Sequence, residues 1–322
     1  MHALAQAGVT EDFWRWQPHP EVWLLLIGLI GLYVYALRSL GPRLVTPGEP
    51  VATTGQKRWF AFGIVLLWIA ADWPMHDVGE EYLYSVHALQ HILLMFVIPP
   101  VMLLATPEWF ARVVLGDGRL ARAFLQLARP VPALIVFNAL QLVSHWQVVV
   151  NLSVDNGLFH YGIHAAMVFA ALAMWMPVVS PLPEYRISPP LQCVYLFLTS
   201  IVPTVPASWL LFADGVVYEA YDKSARMFGL SVTADQQLAG AQMKIGAGIF
   251  LWAVIVFIFF RWSSRQDKGM TARRVVLDDD GNVPSVEGPA ATELPVAEET
   301  LTYDQVHDAF EHAGPPPRER AP

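Results

Sequence analysis

The chain has 322 residues, 55% of them hydrophobic and only 15% charged, with a mean hydropathy of +0.40. That balance excludes an ordinary soluble domain and points to an integral membrane protein. Cys193 is the only cysteine, so neither a disulfide framework nor a thiolate metal cluster can form within one chain. The formal charge of −8 owes much to an acidic C-terminal tail, and no basic stripe suggests nucleic acid.

The N-terminus lacks the pattern of a cleaved signal peptide, and the expectation is that it is retained. Residues 1–21 carry Phe13, Trp14 and Trp16, amphipathic rings of the kind that settle at the headgroup level, and read as an interfacial segment. Seven apolar runs follow, at about 22–40, 59–73, 83–105, 131–150, 158–179, 191–212 and 238–260. The second is short. The third contains Pro99-Pro100, which removes two backbone donors and predicts a kink or break. The sixth contains Pro203 and Pro206. Residues 263–322 turn acidic and Pro-rich without apolar periodicity, and read as a disordered cytoplasmic tail.

Lys and Arg collect in the loops after the first, third and seventh runs, with Arg186 after the fifth. The loops after the second and fourth have none, and the loop after the sixth sets Lys223 and Arg226 among acids. The parity predicts an all-α bundle of about seven transmembrane helices, residues 22–262, N-terminus outside and C-terminus cytoplasmic.

With that orientation six histidines share the outer leaflet: His76, His87, His91, His145, His160 and His164. His2, His19, His307 and His312 lie near the termini and are left without a role. His87/His91 and His160/His164 are both four residues apart, about one helical turn, so each pair lies on one helix face. Met95 and Met167 extend those faces into two ladders, although methionine more often fills gaps in a core. An i,i+4 imidazole pair can hold one ion, imidazole suits copper, zinc, iron or nickel, and thioether favours Cu(I). Ionisable residues at membrane depth are costly and are functional candidates by default. Hydrogen-bonded packing is the plainer alternative.

Asp72, Asp77, Glu80 and Glu81 at the outer mouth either attract cations or form a solvated face. Asp77 with Glu80, and Thr233 with Gln236, have capping-box spacing. Asn138, Gln141 and His145 share a face of the fourth run, which should point into the bundle. Lys244 lies deep in the seventh run, with an acid, the outer surface or a partner as its possible contact.

The run from Trp73 to His76-Asp77, then Tyr82 to Met95 with His87 and His91, then Pro99-Pro100, resembles the CtaG family of bacterial cytochrome c oxidase assembly factors. That polytopic membrane family is distinct from the single-span copper chaperone of the same name. The likeness continues through Asn138 to Trp146, His160 to His164 and Asp235 to Gly240, and covers most of residues 20–262. It implies a non-enzymatic factor in the bacterial plasma membrane that works with cytochrome c oxidase subunits and binds or delivers copper from the outer leaflet. The implied metal positions are His87, His91, His145, His160 and His164, with His76 less secure. Rival readings are a copper transport or resistance protein, a haem protein with axial histidines, and a scaffold without metal.

Overall fold

The structure, a computed structural model, describes residues 14–223 and 226–272. The compact unit is Met1–Arg261, and Trp262–Pro322 forms a second unit. Among the described residues there are helices and loops and no strand. α1 is Pro20–Leu44, α2 Thr54–Ala71, α3 Met75–Glu81, α4 Tyr84–Ala105, α5 Glu108–Leu115 and α6 Arg119–Leu127. α7 is Pro130–Ser144, α8 Gln147–Asp155, α9 Gly157–Val179, α10 Pro189–Ile201 and α11 Thr204–Leu211. α12 begins at Val232 and is helical to Ala272, through a wider π turn at Gln242–Gly246.

The chain is therefore an all-α membrane bundle. Among the described residues six stretches are long and apolar enough to cross a bilayer, or seven if α6 and α7, bent by 83° to one another, are counted as one span. α7 is shorter than the fourth apolar run suggests. It stops at Ser144 because side chains take over its last carbonyls: Ser144 Oγ donates to Gln141 O at 3.1 Å, and His145 Nδ1 lies 2.7 Å from the same oxygen. Trp146 is extended and α8 starts afresh. The expected outer loop is also different, since Met75–Glu81 is a helix with His76 and Asp77 buried.

Neither expected capping box forms. Asp77 sits inside α3, and Ser231 caps α12 by accepting from Ala234 N at 3.2 Å. The box that does form is Thr53 with Gln56, which starts α2. The N-terminus of α4 is capped from across the bundle: Asp235 of α12 accepts from Tyr84 N at 2.7 Å and from Ser85 N at 3.1 Å, and from Ser85 Oγ. Gln236 accepts from Val217 N instead of folding back on its own helix.

Pro99 and Pro100 do not break α4. The helix widens into a π turn at Leu93–Val97 just before them. The Met95 carbonyl, which a residue with an N–H at position 99 would satisfy, accepts from Trp175 Nε1 of α9 at 3.1 Å. This bond lies in the main core, where Met95, Phe96, Phe137, Met167, Met174, Trp175, Leu196 and Leu251 pack together. The methionines of both ladders are thus core residues, about a turn beyond the histidines.

Trp14 and Trp16 are exposed, and Phe13 falls outside the described residues. Helix continues past the expected start of the C-terminal tail, and residues 273–322 lie outside the described part. Lys244 is exposed beside Ser208 Oγ, at 3.4 Å, and the Phe212 ring, at 5.7 Å.

Two substitutions test how the bundle is held. Asp235→Ala strands the buried Tyr84 and Ser85 donors, and should cost about 2 kcal/mol, on the order of 5 °C in the unfolding midpoint in detergent. A Cβ at Gly240 would lie 2.6 Å from Ala207 O and 2.7 Å from Leu211 N, backbone atoms of α11 that cannot swing away. At Gly63 it would meet the flexible end of Met102. Gly240→Ala should therefore lower the midpoint more than Gly63→Ala, and equal effects would contradict this packing.

Candidate metal centre

α4 enters the bundle beside α3, and a glycine sets the spacing. A Cβ at Gly79 would lie 3.1 Å from His87 N and 3.2 Å from His87 Cα, so any larger residue would press α3 away from the first turn of α4. Tyr221 Oη donates to Gly79 O at 3.1 Å and ties the loop before α12 to the same place. α9 then lies against α4, and the two histidine pairs meet.

His91 Nε2 and His164 Nε2 are 2.9 Å apart, with ring centroids at 4.7 Å. The His87 and His91 rings lie 4.3 Å apart, tilted by 48°, and His87 lies 5.5 Å from His164. One ring nitrogen from each of His87, His91 and His164 falls within 4.8 Å of the others, a set that could hold a metal ion. Neighbouring imidazoles extend it on both sides. His160 is 4.2 Å from His164 and 5.6 Å from His87, and His145 is 6.2 Å from His91.

A small cavity of about 20 Å³ opens onto this set, room for a single water or bare ion. His87, His91, His160 and His164 line it, α8 covers it with Val150 and Ser153, and Tyr84 and Tyr221 close its side. Its polar atoms are not all satisfied. His87 Nδ1 is buried without a hydrogen-bond partner, and His160 Nε2 faces Glu80 Oε1 at 2.6 Å. A buried donor or acceptor with no partner is costly and marks a place where an ion or water would be stabilised.

The ring orientations are set from outside the cavity. His145 Nδ1 faces the Gln141 carbonyl, so it carries the proton and leaves Nε2 as a free lone pair. Ser153 Oγ holds His160 Nδ1 at 2.8 Å. Gln90, fully buried, donates to Ala70 O at 2.7 Å and to His76 Nδ1 at 3.3 Å. An amide nitrogen can only donate, so His76 accepts at Nδ1 and carries its proton on Nε2. Asn138 and Gln141 are buried beside His145, as their shared face implied.

His19, set aside as terminal, belongs to the assembly. Its ring packs edge-on against His76 at 4.8 Å, and its Nε2 donates to Asp77 at 3.0 Å. Burial alone would lower the His19 imidazole, but the carboxylates of Asp77 and Glu21 outweigh it and raise it above its ordinary value. The acidic mouth is not a free solvated face. Trp68 Nε1 donates to Asp72, His19 to Asp77 and Gln17 Nε2 to Glu81. Tyr84, Ser153 and Tyr221 escape sequence reading because nothing in their local pattern separates them from ordinary core or loop residues. His19 had a signal, its place beside the helix-starting Pro20.

The model of one protein family, described as cytochrome c oxidase caa3 assembly factor, matches residues 31–265. No curated protein and no solved structure gave a match. The matched stretch covers most of the chain, runs from within α1 to within α12, and includes every histidine of the assembly except His19. The chain belongs to the family of cytochrome c oxidase caa3 assembly factors.

Proposed function

We propose that this assembly factor acts by holding copper at His87, His91 and His164 and passing it to the oxidase, without catalysing a reaction of its own. The observation that carries this reading is the convergence of three ring nitrogens within 4.8 Å around a cavity of ion size. All three ligands are imidazoles, which suit copper, and the absence of thiolate leaves the ion exchangeable, as a donor requires. His145 and His160 flank the triad as further nitrogen donors. His76, with its proton on Nε2, serves to orient its neighbours, and Met95 and Met167 fill the core.

Charge favours the monovalent ion. Among the described residues no carboxylate belongs to the triad, and desolvation cost rises steeply with charge, so a largely buried neutral set suits Cu(I) better than a dication. Haem is disfavoured by size, because a cofactor pocket of roughly 300 Å³ or more has no counterpart among these rings. By the loop charges, the site faces the outer side of the bacterial plasma membrane, where the copper centres of an oxidase would be loaded.

Elemental analysis of detergent-purified protein after copper loading tests the reading. The wild type should hold copper and show no Soret band, and His91→Ala and His164→Ala should each lose most of it at equal protein yield. Full copper in both variants would sink the assignment.

A further inference from the structure

His87 is buried and His91 and His164 are partly so, and Glu80 carries carboxylate charge to the outer side of this histidine cluster. Three of the four mouth carboxylates already accept hydrogen bonds, Asp72 from Trp68, Asp77 from His19 and Glu81 from Gln17. Glu80 is left to the histidines. Its Oε1 lies 2.6 Å from His160 Nε2 and 3.4 Å from His76 Nε2, and its side chain is 34% exposed. His160 is only 4% exposed, and Glu80 Oε1 is the group its Nε2 faces. A buried imidazole nitrogen beside a partly exposed carboxylate, with its other nitrogen fixed by Ser153, offers two ligand atoms to one cation.

We propose that Glu80 and His160 form an entry site, separate from the triad, where the cation first binds and from which it is handed to His164. This rests on the copper reading of the triad. His160 stands at the junction, with Glu80 on its outer side and the His164 ring 4.2 Å away on the inner side. Ligand exchange therefore needs no large movement: the ion leaves the Glu80 oxygen as a triad nitrogen takes its place. His76 positions Glu80 and is not itself a ligand, since Gln90 holds its Nδ1 and its protonated Nε2 faces the carboxylate. Electrostatics gives Glu80 its part. A carboxylate at the mouth attracts a cation from water and offsets the desolvation that the neutral triad does not.

The test is the rate and the extent of copper uptake by full-length protein in detergent, supplied as Cu(I) in a weak soluble complex. Glu80→Gln keeps the shape and removes the charge. It should slow uptake at least about tenfold and leave the final copper content unchanged. His160→Gln should also slow uptake, and His76→Gln should slow it less than Glu80→Gln. Glu80→Gln loading at the wild-type rate would overturn the entry site, and so would a loss of final copper, which would place Glu80 in the inner site. If the wild type takes up no copper at all, the triad reading fails as well, and that outcome is distinct from both.

Discussion

The approach of α4 to α9 is the constraint on which the rest depends. Two imidazole nitrogens 2.9 Å apart inside an apolar bundle require both helices to be held in register and in depth. The holding is done by polar atoms that the prolines and helix ends would otherwise strand. Asp235 caps α4 from a helix about 150 residues away, Trp175 satisfies the Met95 carbonyl that Pro99 leaves free, and Tyr221 binds Gly79. Each of these bonds removes a buried unsatisfied group and fixes a histidine-bearing element at the same time.

The histidines form a file that runs from the interface inward. Centroid steps from His19 to His76, His160, His164, His91 and His145 are 4.8, 6.4, 4.2, 4.7 and 6.2 Å. Carboxylates accompany its outer end and none of them belongs to the inner triad. We read the change as a division of labour, with charge at the mouth to gather a cation and neutral nitrogen within to hold it.

Much of this was legible before the fold. Membrane class, the helix count and the convergence of His87, His91, His160 and His164 follow from apolar run length, loop charge and four-residue spacing. The failures share a cause, which is that tertiary partners decide the ends of helices. Asp77 and Thr233 had the spacing of caps, but Asp77 binds His19, and Ser231 starts α12 while Asp235 reaches over to α4. His145 looked like the outer end of a span and proved to be its terminator. The π turn after His91, which no residue pattern announces, ends the regular ladder and leads Met95 into the core.

The most direct measurement of the central claim is X-ray absorption at the copper edge of the loaded protein. The account predicts a first shell of nitrogen at about 2.0 Å with the multiple scattering of imidazole rings, and no sulfur. A sulfur shell near 2.3 Å would place Met95 or Met167 on the ion and contradict the assignment. A spectrum without imidazole scattering would contradict it altogether.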